Sequence, residues 1–251
     1  MEYCETITEK IEGVGFYSPS GHFSEVHLLL EPGSPNSGIR LENKIPHGLL
    51  DKKWQKQIMT VLKSNKLLGV LTNSPLTDIK ITLIGGSQQT KYSHASDYRN
   101  AALRAVRQGL MKLRARNAVK ILSAFNKVEL EVEERHYSQI VALIGQNRGN
   151  VLAAMDKNKK IKMNITMPEE NLSSFEKKLR LLTNDDYQLT IIKQEFVFAH
   201  HQQRIIDQVA YNPEKDLENS ANAVSCPHAS DDLIVPWNKV EQIVFYPMSK
   251  I

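Results

Sequence analysis

Cysteine is scarce in this sequence. Cys4 and Cys226 are the only two in 251 residues, and no C-x-x-C spacing exists. A disulfide framework and a cysteine-rich zinc module are therefore excluded, and a reducing compartment is the expectation. No G-x-x-x-x-G-K-[ST] phosphate loop and no H-E-x-x-H pair occur, which removes P-loop nucleotide chemistry and zincin-type hydrolysis. No apolar run approaches the roughly 18 residues of a membrane span. The opening "MEYCETITEK" has neither the basic nor the apolar part of a signal peptide. These absences give a cytoplasmic chain with no membrane association as the expectation. No internal repeat and no long low-complexity tract is present.

What is present is an ordinary globular balance, 41% hydrophobic and 24% charged, with a net charge of +4. That charge is unevenly spread. Residues 1–126 carry 17 Lys and Arg against 10 Asp and Glu, whereas residues 127–251 carry 15 against 18. Between Gly85 and Lys120 there are eight Lys or Arg and a single acid, Asp97. The stretch opens on two glycines, and no Leu, Ile or Val follows until after Asp97. A basic segment behind a polar loop points to a polyanion, and a solvated basic face would read the same way.

The coarse pattern is mixed. Strands are predicted over 3–15, 22–32, 39–45 and 77–84, the last from Ile79, Ile81 and Leu83 alternating with polar residues. A helix is predicted over 49–65, with Trp54, Ile58, Val61 and Leu62 on one stripe. A second spans about 97–116, with Leu103, Val106, Leu110 and Leu113 toward the core and Asp97 as N-cap or first-turn acid, suited to the helix dipole. Arg104, Arg107 and Arg114 flank that stripe and are expected to face solvent or a ligand. A domain boundary is expected near 123–126. Beyond it strand 127–133, helix 136–146, a strand pair around "DKNKK", helix 171–182 and strand 187–198 follow the β-α-β-β-α-β order of a ferredoxin-like unit. Residues 200–251 read as an irregular extension, with "RIIDQVAY" as a short helix and "LIVPWNKVEQIVFYP" apolar enough to dock back on the body.

No catalytic constellation emerges. Cys226, His228, His200 and His201 have the chemistry of metal ligands without the paired spacing of zinc sites, so no metal is expected. The loop before the second helix offers Thr90, Lys91, Tyr92, Ser93, His94 and Ser96: donors, one positive charge and two rings. That mixture suits phosphate contacts and stacking on unpaired RNA bases. A plain strand-to-helix connector would be polar for the same reason of solvation. The turn "YSPSGH" is its expected neighbour if the flanking strands share a sheet.

"YCETI", "GHFSEVHLLLEPGSPNSGIRLENKI", "GVLTNSPLTDIKITLIGGS" and "DYRNAALRAVRQGLMKL" together resemble the fourth domain of translational GTPases of the elongation factor G type. "NKVELEVEERHYSQIVALIGQNRGNV" resembles the start of the fifth domain. The length of the 86–100 loop and its "SDYR" exit are closer to the tetracycline-resistance ribosomal-protection branch, and "DLENSANAVSC" resembles extensions found there. Lys91 stands where that branch carries its tip proline. The resemblance covers about residues 2–198.

It implies an α+β chain. A ribosomal protein S5 domain 2-like βαβ sandwich, with a crossover of unusual handedness, would span 1–122. A ferredoxin-like domain would span 123–199, and the C-terminal extension 200–251. It implies a monomeric arm that reaches the decoding region of the small ribosomal subunit and contacts rRNA. Ser18, Ser20, Gly21, His22, Thr90, Lys91, Tyr92, Ser93, His94 and Ser96 would be the tip loops, supported by a basic face of Arg99, Arg104, Arg107 and Arg114. GTP and magnesium belong to the family's nucleotide-binding domain, whose motifs are missing here, so the chain is expected to be a non-enzymatic C-terminal part without cofactors. A protein- or RNA-interaction module away from the ribosome, and a truncated remnant, are the alternatives.

Overall fold

The computed structural model describes residues 3–157, 159–226 and 231–249. The chain divides into two compact units. The first comprises residues 4–121 and 200–251, and the second residues 1–3 and 122–199.

The first unit is built on a six-stranded sheet. Its strands are β2 (Ile11–Ser18), β3 (Ser24–Pro32), β4 (Ile39–Asn43), β5 (Ile79–Ser87), β10 (Ala223–Ser225) and β11 (Leu233–Val235). They lie in the order β11-β10-β2-β3-β5-β4. Strand β4 runs parallel to β5, with helix α1 (Lys52–Ser64) between them in the chain, so this is the expected βαβ unit. Strands β2, β3 and β5 pair antiparallel, and β10 joins β2 in parallel. Strand β1 (Tyr3–Ile7) instead lies beside the long strand β6 (Val119–Glu133), where the Thr8 N–H donates to Ala118 O at 2.9 Å.

Helix α2 (Ala95–Ala115) packs on β2 at unusually short range. A Cβ on Gly15 would sit 1.7 Å from the Ala101 carbonyl oxygen, and one on Gly13 would sit 2.1 Å from that of Ala105. Backbone meets backbone here because the helix offers Ala101, Ala102, Ala105 and Gly109 where the strand offers "GVG". Periodicity alone had singled out a leucine stripe. Val106, Leu110 and Leu113 are indeed buried, but the tightest contact runs through the small residues. The polar side of α2 also serves the sheet. Gln108 Oε1 accepts the Val14 N–H at 3.0 Å, and Lys112 Nζ donates to Glu12 O at 2.8 Å, so two backbone groups of β2 are satisfied without a neighbouring strand.

The opposite face of β2 and β3 carries Val14, Phe16, Glu12, Glu25 and His27, all buried. The C-terminal segment covers it. Val14, Phe16 and Phe23 cluster with Ala223 and Val240, and Val235, Ile243, Val244 and Met248 pack alongside. Ala223, Val235, Val240, Ile243, Val244 and Met248 thus complete the first unit's core, and the apolar stretch 233–247 docks as its composition implied.

The second unit continues along β6 into helix α3 (Tyr137–Gln146), β7 (Asn150–Lys157), β8 (Lys160–Pro168), helix α4 (Glu169–Thr183) and β9 (Tyr187–Phe198). Its strands lie in the order β9-β6-β8-β7, all antiparallel, which is the ferredoxin-like arrangement. Val128, Leu130 and Val132 point into a core with Ile140, Ile144, Met163, Ile165, Phe175 and Leu179. The alternate residues of β6 form ion pairs on the other face, Lys162 with Glu129 at 2.7 Å and Lys127 with Glu195 at 3.0 Å. The boundary expected near 123–126 falls close by, between Ile121 and Leu122, and it lies inside β6, which runs unbroken from Val119 to Glu133.

Candidate nucleic-acid interface

Two loops meet at the end of the first unit's sheet. The turn between β2 and β3 closes through the His22 N–H to Pro19 O (2.9 Å), with Gly21 at a φ of 75° that favours glycine. Ser18 Oγ donates to His22 O at 2.9 Å and braces the same turn. The loop between β5 and α2 folds on itself through the N–H groups of Tyr92 and Ser93, both to Gln89 O. A backbone bond then ties the loops together, from Phe23 N–H to Tyr92 O at 2.7 Å. The expected neighbourhood of "YSPSGH" and the 90–96 loop is therefore the observed one.

Ser93 is not a free tip residue. It is buried, and its Oγ donates to Phe23 O at 2.9 Å while accepting the Gln89 N–H at 3.0 Å. Tyr98 lies beneath, its hydroxyl donating to Ser87 O. Burial pushes that phenol up to about 12, so it serves as a neutral buttress. Ser20, Gly21, Thr90, Lys91, Tyr92, His94 and Ser96 remain exposed, with Tyr92 at 47%. Ser20 turns its N–H to Asp232 Oδ1 at 2.9 Å, so an acid from the C-terminal segment sits against the tip.

Asp97 organises the base of the tip. It is buried in the first turn of α2 and accepts the His94 N–H at 3.0 Å, the Ser96 hydroxyl at 3.2 Å and His22 Nδ1 at 3.0 Å. The residue at the helix N-cap is His94 itself. The His22 and His94 rings lie 5.0 Å apart between centroids. Among the described residues, His22, His94 and Asp97 form the group whose ligand atoms fall within 4.8 Å of one another. Three such donors have the chemistry of a divalent transition-metal site, but Asp97 is already committed to three donors, which favours a His–Asp pair bracing the loops. His228, one of the metal candidates in the sequence, lies outside the described residues.

The supporting basic face is corrected in two positions. Arg107 is 5% exposed. It donates to Asn219 O (2.8 Å), Gly69 O (2.6 Å) and the Tyr211 hydroxyl (2.7 Å). Arg104 donates to Asn222 O at 2.5 Å and lies over the Tyr17 ring. Both are covered by residues 211–222, a packing that helical periodicity on α2 could not reveal. Arg99 is exposed, and Arg114 is half-buried. Tyr211 relays Arg107 to Asp216, donating to Oδ2 at 2.6 Å. Burial, with the Asp216 contact, pushes the Tyr211 phenol up to about 12. Asp216 is held down to about 2, because hydrogen bonds from Tyr211 and Asn219 and the Arg107 charge outweigh its burial.

Residues 1–114 match the family model described as elongation factor G, domain IV. Two curated relatives extend the likeness. An elongation factor G of Ruegeria pomeroyi is 27% identical over 216 residues, which cover 83% of this chain and 29% of the relative. An elongation factor G of Dinoroseobacter shibae is 27% identical over 195 residues, covering 76% and 27%. A solved structure from Thermus thermophilus, a crystal structure of the protein titled ttk003000868, superposes with a TM-score of 0.73 at 23% identity, covering 83% of this chain and 31% of that one. That likeness concerns the fold. The chain thus resembles a C-terminal part of elongation factor G, a translation factor, and spans less than a third of the length of these curated relatives. The tip described above lies inside the elongation factor G domain IV match, which ends within α2.

Proposed function

We propose that the first unit is an arm of an elongation factor G-like protein that presents its tip to rRNA of the small ribosomal subunit, in the cytoplasm. The reading includes no hydrolytic step by this chain. One observation carries it. The two loops are locked together by Phe23–Tyr92 and Ser93–Phe23 bonds, yet Lys91, Tyr92 and His94 are left outward. A rigid base with exposed cation and rings is the arrangement that grips phosphate and stacks on unpaired bases. The charge carried outward is smaller than the sequence implied, since Arg104 and Arg107 are covered. Lys91, Arg99 and the tip rings therefore bear the interaction.

Co-sedimentation with 30S and 70S ribosomal particles over a salt series tests this. Binding should fall as salt rises, because phosphate contacts release counterions. Lys91→Glu should weaken it and flatten the salt slope by roughly one contact. Tyr92→Ala should lose about 1–3 kcal/mol if the ring stacks on a base. Absent or salt-insensitive binding defeats the reading. The loop length and "SDYR" exit favour the ribosomal-protection branch, and displacement of labelled tetracycline from the same particles checks that finer assignment. The reduced outward charge favours a second reading, a protein- or RNA-interaction module away from the ribosome. Its partner would appear in ribosome-free fractions of a lysate.

A further inference from the structure

Apart from the tip, the first unit contains a cavity of about 60 Å³ between α2, the segment after α1 and the C-terminal segment. Lys66, Arg104 and Arg107 line it, together with Asn100, Ser220 and one acid, Glu218. Lys66, Asn100 and Glu218 are exposed, so solvent and solutes reach it. A water needs roughly 10–15 Å³ of such space, and this cavity accommodates several waters or one small polyatomic ion.

Its charge is only partly balanced, since Asp216 reaches Arg107 through the Tyr211 hydroxyl while Lys66 and Arg104 have no such carboxylate among the described residues. None of the ion pairs among the described residues involves Lys66, Arg104, Arg107 or Glu218. The two arginines are held by neutral oxygens: backbone carbonyls and the Tyr211 hydroxyl. Arg104 Nε is buried with no hydrogen-bond partner. A guanidinium desolvated in this way and without an ion pair is costly, and its strongest partners are oxyanions. Burial also pulls the Arg104 guanidinium below its ordinary range, the direction expected of a cation short of countercharge.

We infer that this cavity is a binding site for a single tetrahedral oxyanion, a phosphate group, held by Arg104 and Lys66 with Asn100 and Ser220 as neutral donors. The phosphate can be free inorganic phosphate or a phosphodiester of RNA. The site stands apart from the tip and does not depend on the reading of the tip.

Calorimetric titration of the full chain with inorganic phosphate, in parallel with thermal melts, tests it. Phosphate should bind saturably and raise the melting temperature by mass action, beyond sodium chloride of equal ionic strength. Arg104→Gln should weaken binding about tenfold or more, the loss expected for one charge-assisted bond. Lys66→Gln, at an exposed residue, should weaken it without disturbing the fold, and Glu218→Gln should tighten it. A short single-stranded RNA distinguishes the sources. If RNA affinity drops with Arg104→Gln, the phosphodiester uses the cavity. If it drops only with Lys91→Glu, RNA is held at the tip and the cavity takes free phosphate. A phosphate effect matched by chloride, or unchanged in both Arg104→Gln and Lys66→Gln, overturns the inference.

Discussion

At the scale of single residues, the first unit depends on polar groups buried where a sheet face would ordinarily be apolar. His27, fully buried, sits between two carboxylates, with Nδ1 at 2.6 Å from Glu12 and Nε2 at 2.9 Å from Glu25. The carboxylates are also met by backbone N–H groups of the C-terminal segment. Phe245 and Tyr246 donate to Glu25 at 2.9 and 2.7 Å, and Ser249 donates to Glu12 at 2.7 Å. Burial alone would lower His27 and raise Glu12. The hydrogen bonds and opposite charges outweigh it, so His27 is raised and Glu12 lowered. The sign of the pH dependence follows. The His27 contribution is full below the ordinary histidine pKa of about 6.5 and is lost as pH rises through its raised folded value. The Glu12 contribution is full above the ordinary carboxylate range and is lost as pH falls through its lowered folded value. Thermal melts followed by tryptophan fluorescence should therefore show stability declining from neutral toward alkaline pH. Both tryptophans, Trp54 and Trp237, lie in the first unit, so the signal reports that unit. His27→Gln should remove the alkaline decline and lower stability by roughly 3–5 kcal/mol near neutral pH, since it leaves two buried carboxylates without their cation, and the deficit should shrink as pH rises through the raised His27 value. An unchanged pH profile in His27→Gln would assign the decline to another group.

At the scale of elements, the contact of β2 with α2 decides how close helix and sheet can come. Gly15 has no room for a Cβ, because the Ala101 backbone already occupies that position. Gly15→Ala must push the helix away along its length, and is expected to destabilise the first unit by about 3 kcal/mol. The tryptophan melt should then fall by roughly 6–12 °C. Gly145→Ala is the counter-case: the residue lies inside α3 with nothing within 4 Å of its Cβ position. It should stabilise that helix by about 0.5–1 kcal/mol, read as slower amide exchange in α3. These two glycines look alike in the sequence, and the difference shows what was legible there. Strands with strict alternation, such as 79–83 and 127–133, and the βαββαβ order of the second unit could be read from period alone. So could Ile58, Val61 and Leu62 of α1, which are all buried. The small-residue seam was not legible, because alanine and glycine carry no hydrophobic signal and their meaning depends on what faces them. The tip's polar residues stood out in sequence, but the burial of Ser93 and the pairing of His22 with Asp97 needed two loops 75 residues apart to be brought together.

At the scale of the whole molecule, the C-terminal segment governs how much positive charge the first unit presents. Residues 200–251 carry four Lys or Arg and seven Asp or Glu, so they lower the net charge by three. They also cover Arg104 and Arg107, and set Asp232 against the tip turn. This is why the sequence overstated the basic face: contacts such as Arg107 to Asn219 span more than a hundred residues and leave no local trace. Deleting residues 211–251 should uncover both arginines. Single-stranded RNA would then bind more tightly at low salt, and the slope of log affinity against log salt would steepen by roughly 0.7 for each phosphate newly contacted, about 1.4 for two. The same deletion strips Val240 and its neighbours from Val14, Phe16 and Phe23, so the first unit should melt at lower temperature. The two effects separate in a second variant. Tyr211→Phe removes the hydroxyl that links Arg107 to Asp216 while keeping the ring over the guanidinium. It should cost only about 1 kcal/mol of stability, and the RNA salt slope should stay near that of the parent chain because Arg107 remains covered. A deletion variant whose salt slope matches the parent, measured below its melting temperature, would mean that the covered arginines cannot reach a polyanion even when exposed.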